Sequence, residues 1–199
     1  MQSAAQLCHS NSGLFILDEV LVGLGRCGRW SYGSAVDADI SCFGKILGGG
    51  MALSAIAAKT EVMSAWPDST GEAIHTGTFF GHPLSCAVAT KTLNEIEEQN
   101  LLERSLKLGE SFSKIITDEL SKFGDFVEVR GRGLLIGIEF KNDLQGVELS
   151  KKLLEKGYVV IPAAPRGNMI SLTPALTVCL LYTSPSPRDA TLARMPSSA

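Results

Sequence analysis

A short apolar run that ends in two acidic residues is the feature that most constrains this chain. Leu14-Phe15-Ile16-Leu17 is followed directly by Asp18 and Glu19. Such a run is typical of a buried parallel strand that delivers polar side chains to a site at the carboxyl edge of its sheet. We therefore expect an α/β fold with a candidate site where this strand ends.

A second predicted strand, from Ala38 to Phe43, runs into Gly44 and Lys45. Parallel neighbouring strands would place the Asp18 carboxylate and the Lys45 amine at the same sheet edge. Pyridoxal phosphate requires that pair, because an amine binds the cofactor covalently and a carboxylate keeps its pyridine nitrogen protonated. Partial burial would make the Lys45 amine a better nucleophile.

Two glycine patterns have simpler interpretations. The GxGxxG pattern from Gly23 to Gly28 does not follow its strand directly and does not open a helix. A turn-rich loop is therefore favoured over a dinucleotide site. Lys45 precedes the glycines at positions 48–50, and no Ser or Thr follows it, so this segment is not a nucleotide phosphate-binding loop.

The rest of the chain mixes strands and helices. A third strand is predicted from Leu53 to Ala58, and Pro83 opens a long helical pattern that reaches Leu120 with a bend near Asn100. The predicted elements beyond it are typical of a small α+β domain. They are strands over residues 127–130, 134–140, 158–161 and 169–172, and a helix over residues 147–156.

Composition excludes several classes of protein. Charged residues make up 20% of the chain and the formal net charge is −3, without the clustered Lys and Arg of a nucleic-acid-binding surface. No apolar run reaches the roughly 18 residues that a membrane helix needs, and the N-terminal residues lack a secretory pattern. The five cysteines are scattered, which favours a reduced, cytoplasmic protein without a disulfide framework or zinc site.

Three stretches together resemble the class III, or ω-type, aminotransferases. They are LFILDEVLVGLGRCGRW, DADISCFGKILGGGMALSAIAA and GEAIHTGTFFGHPLSCAVA, and the similarity extends from Gly13 to Val178. The resemblance implies fold type I of the pyridoxal-phosphate-dependent transferases. It implies a remnant of the three-layer α/β/α large domain with a long connecting helix over residues 1–120, and a small α+β domain over residues 121–178.

The resemblance also implies roles for four residues. Asp18 pairs with the pyridine nitrogen, Val20 packs on the cofactor ring, and Lys45 is the catalytic lysine that binds the cofactor. Thr78 binds the cofactor phosphate of the neighbouring subunit, which implies a homodimer. The implied activity is transfer of an amino group from an amine or amino acid to a 2-oxo acid.

Several positions depart from the family's pattern. Leu21 stands where a glutamine often binds the phenolic oxygen of the cofactor, and Cys27 stands where threonine is usual. Ser171 lies at or near the place of an arginine that grips the substrate carboxylate, which argues against that mode of recognition. Arg132 and Arg166 are candidates to compensate, and solvated or turn arginines are the other interpretation.

The chain is expected to be a C-terminal fragment, because the family's glycine-serine phosphate loop and stacking aromatic are not found before Leu14. Residues 179–199 resemble a translated sequencing adapter and are expected to be a disordered, non-native tail, with a disordered native tail as the alternative. Two functional alternatives stay open. One is another reaction of the same cofactor, by an aminomutase, racemase or decarboxylase, and the other is an inactive truncated chain.

Overall fold

The structure of the protein, a computed structural model, describes residues 1–68, 71 and 76–178. The chain divides into two compact units, Met1–Glu103 and the remainder from Arg104. This division falls inside a helix, whereas residue 120 is the boundary predicted from the sequence, and the domain assignment itself stays a prediction. The predicted tail over residues 179–199 lies outside the described residues.

The first unit contains a three-stranded mixed sheet. Its strands are β1 (Ile16–Asp18), β2 (Ile40–Phe43) and β3 (Ala55–Ala58), in that order across the sheet. β1 and β2 run parallel, whereas β2 and β3 run antiparallel. The predicted parallel pairing of the first two strands is confirmed, so their carboxyl ends meet at one sheet edge.

The described part of the first unit also contains helical segments. They are α1 (Gln2–Ser10), α2 (Gly33–Val36), a 3₁₀ turn (Lys45–Gly48), α3 (Thr60–Met63) and α4 (Pro83–Glu98). The sequence analysis does not predict α1. α4 begins at Pro83 as expected, and His82 Nδ1 accepts a hydrogen bond from the Ser85 amide at 3.4 Å.

Gly49 fixes the 3₁₀ turn against α4. Its φ is +55°, and an added Cβ would lie 2.2 Å from Thr92 Oγ1 and 2.9 Å from Val88 Cγ1. A residue with a side chain would therefore clash with α4 and would also adopt a left-handed backbone conformation at a cost. The glycines after Lys45 thus serve the packing of the turn that carries the lysine.

A break at Asn100 separates α4 from α5 (Leu101–Leu120). Asn100 has a φ of +49°, a conformation that interrupts a helix and that asparagine adopts more readily than most residues. The long helical pattern with a bend near Asn100 is therefore two helices. No described helix is both long and apolar enough to cross a membrane.

The second unit contains a four-stranded antiparallel sheet. Its elements are β4 (Phe126–Arg132), β5 (Leu135–Phe140), α6 (Gln145–Glu155), β6 (Ile161–Ala163) and β7 (Met169–Leu172), with sheet order β4-β5-β7-β6. The buried side chains of Ile138, Phe140 and Ile170 form its core. Residues of α5 and α6 pack on this core; they are Ile116, Leu120, Leu149 and Leu153.

The strand predicted over residues 158–161 is wrong in its position, because β6 begins only at Ile161. The Tyr158 amide donates to the Leu153 carbonyl at 2.9 Å, and Gly157 before it has a φ of +87°. An amide that closes the end of a helix is not available to a sheet ladder. The helix end therefore extends into the segment predicted as strand.

Asp39 ties three segments of the first unit together at the amino end of β2. Its carboxylate accepts hydrogen bonds from the Phe15 amide at 2.7 Å, from His9 Nε2 at 2.8 Å and from Lys59 Nζ at 2.9 Å. The Phe15 amide first, and then Lys59 and His9, hold the pKa of Asp39 below its ordinary value. This cluster lies at the sheet edge opposite the carboxyl ends of β1 and β2.

We expect acid to destabilise the first unit through Asp39. When folding lowers the pKa of a carboxyl group, ionisation of that group stabilises the folded state. This stabilisation is fully present above the unfolded pKa, about 3.9, and is lost as the pH falls through the folded pKa. Asp39→Asn should therefore flatten the fall in the free energy of unfolding below about pH 4. Urea unfolding followed by circular dichroism over a pH series measures this slope.

Asp37→Asn is the matched control for that prediction. Asp37 binds the same Lys59 amine at 2.7 Å, but its side chain is 69% exposed, against 7% for Asp39. Its loss should leave most of the acid sensitivity in place, because exposed ion pairs contribute little. Equal flattening in both variants would contradict the assignment to Asp39.

Candidate active site

Asp18 and Lys45 lie at the carboxyl ends of the two parallel strands. Asp18 is the last residue of β1 and is in register with Cys42 of β2. The Glu19 amide donates to the Cys42 carbonyl at 2.9 Å, which continues the pairing one residue past β1. Lys45 follows the end of β2 and opens the 3₁₀ turn. The fold thus brings a carboxylate and an amine to the same sheet edge.

Val20 and Gly44 connect the two strand ends by close packing. An ideal Cβ built on Gly44 would lie 3.3 Å from Val20 Cγ1, which is tighter than most contacts of a real Cβ. A side chain at position 44 would therefore push against Val20. Without one, the half-buried valine rests on the backbone that leads into Lys45.

Asp18 is exposed, and a backbone amide just beyond the end of its strand orients its carboxylate. Its Oδ1 accepts a hydrogen bond from the Val20 amide at 2.9 Å. A side chain that binds the backbone two residues ahead is typical of an Asx turn. A carboxylate has lone pairs for several hydrogen bonds, so Asp18 keeps the capacity to accept a further N–H from a ligand.

Lys45 has an uncommon backbone conformation for a residue with a side chain. Its φ is +45°, which costs roughly 1–2 kcal/mol relative to the right-handed region. Strain of this kind clusters at functional sites. The expected partial burial of Lys45 is not observed, because the 3₁₀ turn places this residue at the surface of the unit.

Thr78 lies in an exposed turn before α4, apart from the other three predicted residues. The neighbouring Phe79 and Phe80 are 76% and 62% exposed. Within the part of the chain that the structure describes, no hydrogen bond joins Thr78 to Asp18 or Lys45. The fold therefore brings three of the four predicted residues to the strand ends, and Thr78 lies in the turn before α4.

The GxGxxG segment is a series of turns, as predicted from the sequence. Backbone bonds of 2.9 Å close the loop from Leu24 to Trp30 and from Gly25 to Arg29. The next helix, α2, begins only at Gly33. No helix starts at the third glycine, so the geometry of a dinucleotide site is not formed there.

Glu19 is a buried residue that sequence reasoning missed. Its side chain is 1% exposed, and its carboxylate accepts hydrogen bonds from Ser31 Oγ at 2.5 Å and from the Tyr32 amide at 2.8 Å. Alternation continued one residue past β1 could have indicated that Glu19 is buried. When side chains alternate, only one of two consecutive acids can face the site.

The positions considered for the substrate carboxylate lie in the second unit. Ser171 is in β7, in register with Gly137 of β5 and Ile161 of β6. Arg166 Nη1 contacts Asp143 Oδ1 at 3.1 Å, and both side chains are more than half exposed. A surface ion pair is sufficient to explain Arg166.

Comparison with known proteins identifies the family. The model of the class-III aminotransferases matches residues 1–180, and the chain belongs to this family. Ornithine aminotransferase 1 of Staphylococcus saprophyticus is 37% identical over 184 residues, which cover 89% of this chain and 43% of that protein. Acetylornithine aminotransferase of Methanosarcina mazei is 39% identical over 145 residues, which cover 71% of this chain and 34% of that protein.

Solved structures show the same relation. An aminotransferase of Bacillus anthracis matches with a TM-score of 0.80 and 30% identity, over 97% of this chain and 46% of that one. Acetylornithine aminotransferase of Elizabethkingia anophelis matches with a TM-score of 0.77 and 34% identity, over 90% of this chain and 47% of that one. The chain therefore spans less than half the length of these relatives.

Proposed function

We propose that this chain is the C-terminal part of a pyridoxal-phosphate-dependent aminotransferase that moves an amino group from an amine or amino acid to a 2-oxo acid. The observation that carries the proposal is the placement of Asp18 and Lys45 at the adjacent carboxyl ends of two parallel strands. Membership of the class-III aminotransferase family supports the same assignment.

The residues at this edge fit the cofactor. Gly44 leaves space beside Val20 that a Cβ would fill, which suits the close approach of a flat ring. Asp18 is exposed and can accept the N–H of a protonated pyridine nitrogen, whereas Lys45 offers an exposed amine. When bound, pyridoxal phosphate supplies an electron sink for the pair released at the substrate carbon.

Lys45 is the residue that moves protons in this proposal. Lys45 Nζ would remove the proton from the substrate carbon that bears the amino group and would later donate it to the cofactor, acting as general base and then as general acid. The negative charge of Asp18 would favour the protonated form of the pyridine nitrogen and so keep the pyridinium proton in place. Val20 supports one face of the ring through packing.

Thr78 and the phenylalanines beside it support a homodimer. Thr78 is exposed, and so are Phe79 and Phe80. An exposed hydroxyl next to a pair of exposed rings suits a surface that meets a second subunit, where Thr78 would bind the cofactor phosphate. We place the assembled enzyme in the cytoplasm, in agreement with its scattered cysteines.

The experiment that tests the proposal is selective trapping of the cofactor on Lys45. The purified chain is mixed with limiting pyridoxal phosphate, reduced with borohydride and digested, and the modified lysines are quantified by peptide mass spectrometry. Label should concentrate on Lys45. Lys59 is the internal control, because hydrogen bonds from its amine to Asp37 and Asp39 raise its pKa and make it a poorer nucleophile.

Asp18→Asn provides the matched variant for this experiment. It keeps the size of the side chain and removes the charge that pairs with the pyridine nitrogen. Label on Lys45 should fall in this variant, while label on other lysines should not change. Uniform labelling of all exposed lysines in the wild-type chain would reject a cofactor site on this chain.

A further inference from the structure

Glu19 lies directly between the two cofactor-side residues Asp18 and Val20, but its own side chain points the other way. It is 1% exposed, whereas Asp18 is exposed and Val20 is half-buried. Side chains of consecutive residues in extended backbone alternate between faces. Asp18 ends β1, so the side that Glu19 occupies constrains the side that Asp18 occupies, and the turn that begins at Val20 starts directly after Glu19.

Four hydrogen bonds hold Glu19 in this orientation. Its amide donates to the Cys42 carbonyl at 2.9 Å, and its carbonyl accepts from the Gly23 amide at 2.9 Å. Its two carboxylate oxygens accept from Ser31 Oγ at 2.5 Å and from the Tyr32 amide at 2.8 Å. Both backbone groups and both side-chain oxygens thus have partners.

The partners come from two different parts of the chain. Cys42 belongs to β2, which leads to Lys45, whereas Ser31 and Tyr32 end the glycine-rich loop that begins after Val20. Glu19 therefore ties the end of β1 to the strand that carries the lysine and to the base of the loop. Rotation of the Glu19 side chain out of its site would break the contacts to Ser31 and Tyr32 at the base of the loop.

A carboxylate is a costly group to bury. Burial of a charged group disfavours folding unless each oxygen is paired, and an apolar side chain of similar size often packs with equal or better stability. Two directed bonds, however, define one orientation of the side chain, which apolar packing does not. A carboxylate at position 19 is therefore better explained by the single side-chain orientation that it imposes than by a gain in stability.

We propose that Glu19 is a positioning residue for the cofactor site: its buried carboxylate, bound to Ser31 and Tyr32, keeps Asp18 and Val20 facing the cofactor. This inference rests on the proposed function, since it assigns Asp18 and Val20 to cofactor binding. The chemistry at the site remains with Lys45 and Asp18, and Glu19 acts through its neighbours.

The first test needs no cofactor. The Val20 amide donates to Asp18 Oδ1, so its NMR chemical shift should change when Asp18→Asn removes the charge of that acceptor. Glu19→Ala removes both carboxylate bonds and should abolish this response. Glu19→Gln should restore it, because its oxygen can accept from the Tyr32 amide and its NH₂ can donate to Ser31 Oγ.

Ser31→Ala and Ser105→Ala form a matched pair of controls. Ser31 Oγ donates to Glu19, whereas Ser105 Oγ accepts from the Leu134 amide at 3.2 Å in the second unit. Both substitutions delete one hydroxyl, so both should lower the melting temperature. Only Ser31→Ala should weaken the response of the Val20 amide to Asp18→Asn.

The second test is the dissociation constant for pyridoxal phosphate. Glu19→Ala should weaken binding about tenfold or more, while Glu19→Gln stays close to wild type. If Glu19→Ala stays folded and keeps both the Val20 response and the affinity, Glu19 does not position the site. If the Val20 response is lost as expected but wild type does not bind the cofactor, the positioning contact stands and the proposed function fails.

Discussion

Lys45→Ala should lower the amino-transfer rate of the holoenzyme by about 10²–10⁴-fold, the usual contribution of a positioned general acid–base group. It should also remove the absorbance band of covalently bound cofactor. Lys45 is exposed and has a φ of +45°. Alanine keeps the β-carbon, so the backbone cost of this conformation is unchanged and the fold should be retained. Steady-state kinetics and absorbance spectra measure the two effects.

Two further substitutions make this prediction specific. Lys45→Arg keeps the positive charge but should be as inactive as Lys45→Ala, because a guanidinium does not release its proton at accessible pH. Lys91→Ala removes an exposed lysine that pairs with Glu95 at 2.6 Å. It should retain the rate, because an exposed ion pair on a helix contributes little to stability. A Lys45→Ala enzyme with an intact band and normal activity would overturn the assignment.

Gly109→Ala should destabilise the second unit by about 1–3 kcal/mol, the usual cost of overpacking. Helix propensity alone predicts the opposite sign, because alanine in a helix interior is better than glycine by about 1 kcal/mol. In α5, however, a Cβ on Gly109 would lie 2.0 Å from the Gly133 carbonyl oxygen and 2.5 Å from its carbon. Those atoms are backbone, so no side-chain rotation relieves the clash.

The same helix face makes a second contact with the turn between β4 and β5. Ser105 Oγ accepts from the Leu134 amide at 3.2 Å, and both residues are fully buried. Gly109→Ala should therefore push α5 away from this turn and lower the free energy of unfolding. Urea unfolding of the purified chain measures this loss. Gly124→Ala is the control, since its Cβ would meet nothing within 4 Å. A more stable Gly109→Ala chain would contradict the close approach of helix and turn.

Local patterns were sufficient for much of the candidate site. An apolar run closed by Asp18 and a second run closed by Gly44-Lys45 predicted two parallel strands, and the pairing of Asp18 with Cys42 agrees. The bend at Asn100 and the helix start at Pro83 were also readable, because both depend on backbone preferences of single residues. The roles of Asp18, Val20, Lys45 and Thr78 in binding cofactor remain predictions.

Contacts between distant segments were not readable in this way. Helix α1 is not predicted from the sequence. The bonds of Asp39 to His9 and Lys59 involve residues that no local pattern connects. The strand expected from Tyr158 was misplaced because the Tyr158 amide closes α6 instead. For Asp39 the partners come from distant segments, whereas at Tyr158 a helix-capping bond competes with the strand.

The sequence by itself determined the order of strands and glycines, and thus which residues stand at the ends of β1 and β2, because side-chain type and backbone preference are local properties. Only the tertiary structure decided that Glu19 is buried beside an exposed Asp18, and that Gly44 and Gly109 lie where a Cβ would press on another segment. Burial and close approach depend on which segments of the chain contact one another, and local sequence patterns do not specify those contacts.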